Sequence, residues 1–504
     1  MQNKQHNKFV RILALSMAII MILLSVLAVI FSQGALAEAV PIDRYQIDMR
    51  VNEAADTVVV SESLTYHNIT GGHLSQVVFN LYPNAYRRQL TTPIEMDQMQ
   101  SAYPNGYTPG GADFFSVLVD DVPADWGALG AAEAFLRVAV DLDAGESCTF
   151  RFDYELILPY CRGDFGSTTI AYQLCDFLIT PTPWDAHLSE FMTINPIAAG
   201  RTVIADVGAY TVRINCPSDM TIAAPAPMTK SALDGDRIAY DIQIESIRHL
   251  SLMLSNRYKA RDILSDGGTM IAAHMRSAGD ADRVLQLLPT MVDYFEQILG
   301  EYPLPQLTVA QVEHFAPIRT QSGMILLNDE LLSSRNRDEL AYQLARAVAM
   351  QWFYEKVTHH PGREPWLSEA TSAYMAIRYL GHQYGRDRFL NELNARALPA
   401  MKMTIPGGLS MDNDTDLYSS VSDYEAMTRN RGMAVFYELS LSMGEEKLDQ
   451  ALRHYVEQNK NRIASLPDFA AALESVTGEP MGEPLVYLLQ NITEFAHTGM
   501  DWYE

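Results

Sequence analysis

The sequence predicts an α+β protein in which an antiparallel β half precedes a mostly helical half. From about Glu38 to Lys259 apolar residues alternate with polar ones, the pattern of strands with one buried and one wet face. After about Arg261 the apolar period lengthens to that of amphipathic helices, with few strands among them. The expected organisation is a leader over 1–37, a β domain over 38–259 and a mostly helical domain over 260–504.

The leader comes first. Lys4, Lys8 and Arg11 precede an apolar run from Ile12 to Phe31, and no acidic residue occurs before Glu38. A basic flank followed by an apolar stretch is an export pattern. The run is long enough for a helix to cross a ~30 Å hydrocarbon core. Ala35-Leu36-Ala37 is also a small-x-small site where a signal peptidase could cut. A retained transmembrane anchor and a cleaved signal peptide both stand. Either places the rest of the chain outside the cytoplasm, at the cell membrane or secreted.

In the β half, Tyr45, Ile47, Met49 and Val51 alternate with polar residues. Phe150 to Leu158, Tyr210 to Cys216 and Ile238 to Ile244 do the same. Gly71-Gly72, Gly110-Gly111 and Asp234-Gly235 are expected to turn the chain between strands. Cys148 and Cys216 fall in phase with apolar strand faces, which implies buried thiols. Cys161 and Cys175 flank a short polar loop. A disulfide between them would close a ~15-residue loop and contribute about 3 kcal/mol; free thiols are the other reading.

The helical half opens with Val284, Leu287, Leu288, Met291, Phe295 and Ile298 on one helical face, ending at Gly300. Pro289 within that face predicts a kink or a later start. Apolar runs at Leu307–Val312 and Met324–Leu327 precede helices expected over Arg337–Val357, Pro365–Tyr384, Arg386–Arg396, Gly432–Met443 and Glu445–Asn459. There is no internal repeat.

Composition narrows the function. Of 504 residues 48% are hydrophobic and 20% charged, an ordinary globular balance. A formal net charge of -25 argues against nucleic-acid partners and against anionic lipid surfaces. No Gly-x-Ser-x-Gly elbow, phosphate-binding Gly-rich loop or Cys-x-x-Cys occurs. The 12 histidines include no pair three or four apart, and the adjacent His359-His360 read as exposed loop polarity.

AYQLARAVAMQWFYEKV, a Pro-Gly turn and EPWLSEATSAYMAIRYL, with the earlier GEYPLPQL and SGMILL, resemble the gluzincin family of membrane alanyl aminopeptidases. The resemblance runs from about Tyr45 to Asn491. It implies a β saddle domain followed by a thermolysin-like peptidase domain, and a zinc site. Such a site needs two histidines four apart on one helix, a glutamate beside the first as general base, and a glutamate on the next helix. Aligned on Gln351-Trp352-Phe353, the histidine positions hold Arg346 and Met350 and the base position holds Ala347. Glu369, with 18 residues intervening after Met350, keeps the third ligand position.

The family's glutamate for the substrate amino terminus aligns with Thr320, next to Arg319, or with Ile325. Its oxyanion-stabilising tyrosine aligns with Arg429, with Tyr424 as a shifted alternative. A guanidinium has no lone pair for a cation, and a thioether suits copper(I) better than zinc. The expectation is therefore an extracytoplasmic pseudopeptidase without a metal cofactor or catalytic residues, binding a peptide or an envelope protein. The alternative is an active zinc aminopeptidase with an unorthodox ligand set, and a third reading is a purely structural envelope domain. Within the cleft Arg346 is expected to pair with Glu369, or else to reach solvent. Arg319, Arg346 and Arg429 are expected to converge there as a cationic pocket, or else to lie apart.

Overall fold

A computed structural model describes residues 41–333, 337–404 and 408–493. The leader, with its anchor or cleavage site, lies outside the described residues. No helix among those described is long and apolar enough to cross a membrane.

The alternating segments form an eight-stranded sheet. Across it run Met228–Leu233, Arg237–Ile247, Gly208–Pro217, Asp43–Asn52, Thr57–His67, Ser147–Ile157, Gly111–Val119 and Val122–Pro123. Its inner face is the predicted one: Tyr45, Ile47, Met49 and Val51 are buried while their neighbours are wet. A four-stranded sheet containing Leu74–Asn80 and Phe135–Leu142 covers that face. Phe79 crosses between the two sheets, its ring edge-on to Phe150 at 4.9 Å and to Phe152 at 5.2 Å.

The large sheet is not wholly antiparallel, because Asp43–Asn52 pairs with Gly208–Pro217 in parallel. Alternation reports one-sided burial and is blind to strand direction. Gly110-Gly111 is not a turn either. Gly111 begins a strand, and a Cβ on Gly110 would collide with the Pro159 ring, so the glycine serves close approach of two chain segments. Gly71-Gly72 and Asp234-Gly235 lie between strands as expected. All four cysteines are free and buried, so Cys161 and Cys175 are not bonded.

The second half starts from a five-stranded sheet ordered Lys259–Leu264, Met270–Met275, Gln306–Val312, Met324–Asn328 and Ile318–Gln321. Pro289 acts as a helix start: Ala278–Leu285 ends and Leu288–Leu299 begins with Pro289 in its first turn. The helix Arg337–Met350 passes into a π-helical turn, Gln351–Lys356, and Trp366–Tyr384 packs alongside it. Trp352 anchors the join. Its ring lies against Phe295 and Tyr302, and its Nε1 donates to the Gly300 carbonyl at 3.0 Å.

His359 is not exposed. Thr358–His359 pairs with Ile463–Ala464, which buries the ring to 1% exposure and sets its Nε2 2.7 Å from Ser368 Oγ.

Candidate active-site cleft

A cleft of ≈ 290 Å³ opens between the β side and the helices. Its helical wall is set by three elements. Arg337–Met350 supplies Arg346 and Met350, the first turn of Trp366–Tyr384 supplies Glu369, and a π-helical stretch, Glu425–Arg431, supplies Arg429. π-helical turns are rare and recur at functional sites, and one follows Met350 directly.

Arg346 does not reach solvent. Its side chain is 8% exposed and its Nη1 lies 3.4 Å from Glu369 Oε2. Arg429 donates from Nε to the same oxygen at 2.8 Å, while its Nη1 lies 3.0 Å from Glu425 Oε1. Burial pushes the Glu369 carboxyl up, but Arg429 and then Arg346 more than offset this and hold it at about 2, below the usual 4.5. Glu369 therefore stays ionised at any physiological pH. Burial and then Arg429 push the Arg346 guanidinium down, and Glu369 offsets this only in part.

The other sequence-selected residues separate. Ala347 is wholly buried in the apolar core, whereas Met350 lines the cleft. Thr320 and Ile325, the two alternatives for one position, are cross-strand partners; Thr320 lines the cleft and Ile325 is buried in the core. Tyr424 also lines the cleft and is buried.

Arg319 lies on the cleft wall but does not share Glu369. It holds Asp164 through Nε at 2.9 Å and Nη2 at 2.6 Å. Burial pushes the Asp164 carboxyl up; Arg319 and then His314, whose Nε2 is 3.2 Å away, hold it far below the carboxylate range. The expected three-arginine cluster is thus a pair, Arg346 and Arg429, because Asp164 claims the third.

Sequence reasoning missed Asp164, Arg201 and the pair Asp176–His249, with 3.0 Å between Oδ1 and Nδ1. Arg201 stacks over Tyr354 at 4.1 Å, lies 3.1 Å from Glu355 and donates to the Thr320 carbonyl. The only available signal was Asp164 in the polar loop after Cys161.

The fold is thus a β domain leading into a helical domain, with a cleft in which Glu369 and Glu425 are held by arginine. Residues 283–499 match the model of the peptidase family M1 domain. Aminopeptidase M1-B of Oryza sativa subsp. japonica is 27% identical over 213 residues, 40% of this chain and 24% of that protein. Glutamyl aminopeptidase of Bos taurus is 23% identical over 302 residues, 54% of this chain and 30% of that protein. The match thus spans under a third of either relative. The M1 zinc metallopeptidase from Deinococcus radiodurans has the same fold, with a TM-score of 0.62 and 16% identity over 90% of this chain and 94% of that one. The chain is thus similar to gluzincin aminopeptidases in sequence over its second half, and shares the fold of an M1 zinc metallopeptidase.

Proposed function

We propose that this chain is a non-catalytic member of the peptidase group, an extracytoplasmic pseudopeptidase whose cleft binds a peptide or an envelope protein. The observation that carries this is the occupation of Glu369 Oε2 by two guanidinium groups, at 2.8 and 3.4 Å. Zinc is what the family would bring. The side chains at the corresponding positions do not fit it: Arg346 offers donors only, Ala347 offers nothing, and Met350 offers a soft sulfur. Glu369 is the one hard ligand among them, and its charge is already met by cations. Among the described residues no group of three or more His, Cys, Asp or Glu is placed to hold a metal ion.

The same substitutions remove the base that would activate water, since Ala347 has no proton acceptor. The basic, apolar segment before Glu38 supports attachment to, or passage through, a membrane. The test is hydrolysis of aminoacyl p-nitroanilides by the purified full chain, beside capture of unblocked tripeptides by the same preparation. Capture without turnover is expected. Turnover that 1,10-phenanthroline abolishes would favour an active zinc aminopeptidase instead.

A further inference from the structure

The charges of the cleft are unevenly paired. Three of its four lining carboxylates are held by an arginine, and the fourth, Asp176, lies beside His249. Asp164 has Arg319 at 2.6 Å, Asp176 has His249 at 3.0 Å, and Glu369 and Glu425 share Arg429 at 2.8 and 3.0 Å. The arginine-held carboxylates Asp164, Glu369 and Glu425 are already matched by cations.

Arg346 is the opposite case. Among the described residues its one hydrogen bond is the 3.4 Å approach to Glu369 Oε2, an oxygen that Arg429 holds more closely. Its buried Nε has no partner. A guanidinium presents five N–H donors in a planar fork, so Arg346 is a buried cation with most of its donors unused.

We propose that Arg346, beside Arg429, forms a subsite for a carboxylate group carried by a peptide. This rests on the cleft being a non-catalytic binding groove. A carboxylate matches the guanidinium fork with two parallel hydrogen bonds and supplies Arg346 with a counter-charge that it does not have to share with Arg429. Glu369 and Glu425 repel an incoming anion, so recognition requires direct contact with Arg346 and not a general positive field. The carboxylate could be the carboxy terminus of the peptide or an acidic side chain within it; the chemistry at Arg346 is the same.

Three amino-terminally acetylated probes separate these sources by isothermal titration against the full chain. They are acetyl-Ala-Ala-Ala as the free acid, the same peptide as its amide, and acetyl-Ala-Glu-Ala amide. The free acid is expected to bind at least tenfold more tightly than its amide, and Arg346→Gln to abolish that preference. If the glutamate peptide binds like the acid, side-chain carboxylates are also accepted; if it binds like the amide, only the chain terminus is. Both results uphold carboxylate recognition. Equal affinity for acid and amide, no measurable binding of any probe, or a preference that survives Arg346→Gln overturns the proposal. The acid-to-amide comparison uses the unaltered chain and is independent of how the variant folds. Chelator-sensitive hydrolysis of unblocked peptides would instead overturn the non-catalytic reading, which these blocked probes do not report.

Discussion

Glu369→Gln removes the charge that joins Arg346 and Arg429 while keeping the side chain's size. The carboxyl is held at about 2 in the folded chain against an ordinary 4.5. That depression corresponds to about 3 kcal/mol of stability, fully present above pH 4.5 and lost as the pH falls through 2. Both ends are buried enough to need little correction for screening, with Glu369 10% and Arg429 14% exposed. The magnitude agrees with the ~3–5 kcal/mol expected when one partner of a buried pair is removed. The variant should therefore be about 3 kcal/mol less stable than the parent at pH 7 and only about 1.4 kcal/mol less stable at pH 3, where the carboxyl of the unfolded parent is already mostly protonated. Urea unfolding followed by tryptophan fluorescence at a series of pH values measures the gap. A gap that stays constant from pH 7 to pH 3, or no gap at pH 7, refutes the reasoning.

Three further outcomes are expected. Burial pulls the His359 imidazole down to about 4, so stability it contributes above pH 6.5 disappears as the pH falls toward 4; its ring nitrogens should report a neutral imidazole at pH 5.5 by NMR. Burial pushes the Glu62 carboxyl up to about 8, against a hydrogen bond from Tyr154 at 2.8 Å and another from the Ile179 amide. The parent therefore loses stability as the pH rises from 4.5 toward 8, and Glu62→Gln should raise the urea midpoint at pH 8 while barely changing it at pH 4.5. A Cβ on Gly432 would strike that of Ala370 where two helices cross, so Gly432→Ala should cost about 1–3 kcal/mol, read as a lowered Tm.

Local pattern foretold much of this fold. Period-two burial located the strands, the lengthened period located the helices, and Pro289 marked a helix start. What it could not carry was partnership over distance. The parallel pairing of Asp43–Asn52 is decided by a strand more than 150 residues away. His359 is buried by Ile463–Ala464, which nothing in its own neighbourhood announces. In the cleft, Arg346, Met350 and Glu369 were legible through the family resemblance of the segments around Gln351-Trp352-Phe353 and Pro365-Trp366-Leu367. The diversion of Arg319 to Asp164 was not, since the carboxylate comes from the β half, 155 residues earlier. Arg201 stands alone in the sequence and acquires its place only when Tyr354 and Glu355 fold beneath it.

The most direct measurement is zinc per chain in the full-length protein after equilibration with excess metal and gel filtration. Guanidinium groups on Glu369 predict far less than one equivalent, with no change in Tm on adding zinc. One tightly held equivalent, lost together with aminopeptidase turnover on chelation, would contradict the account.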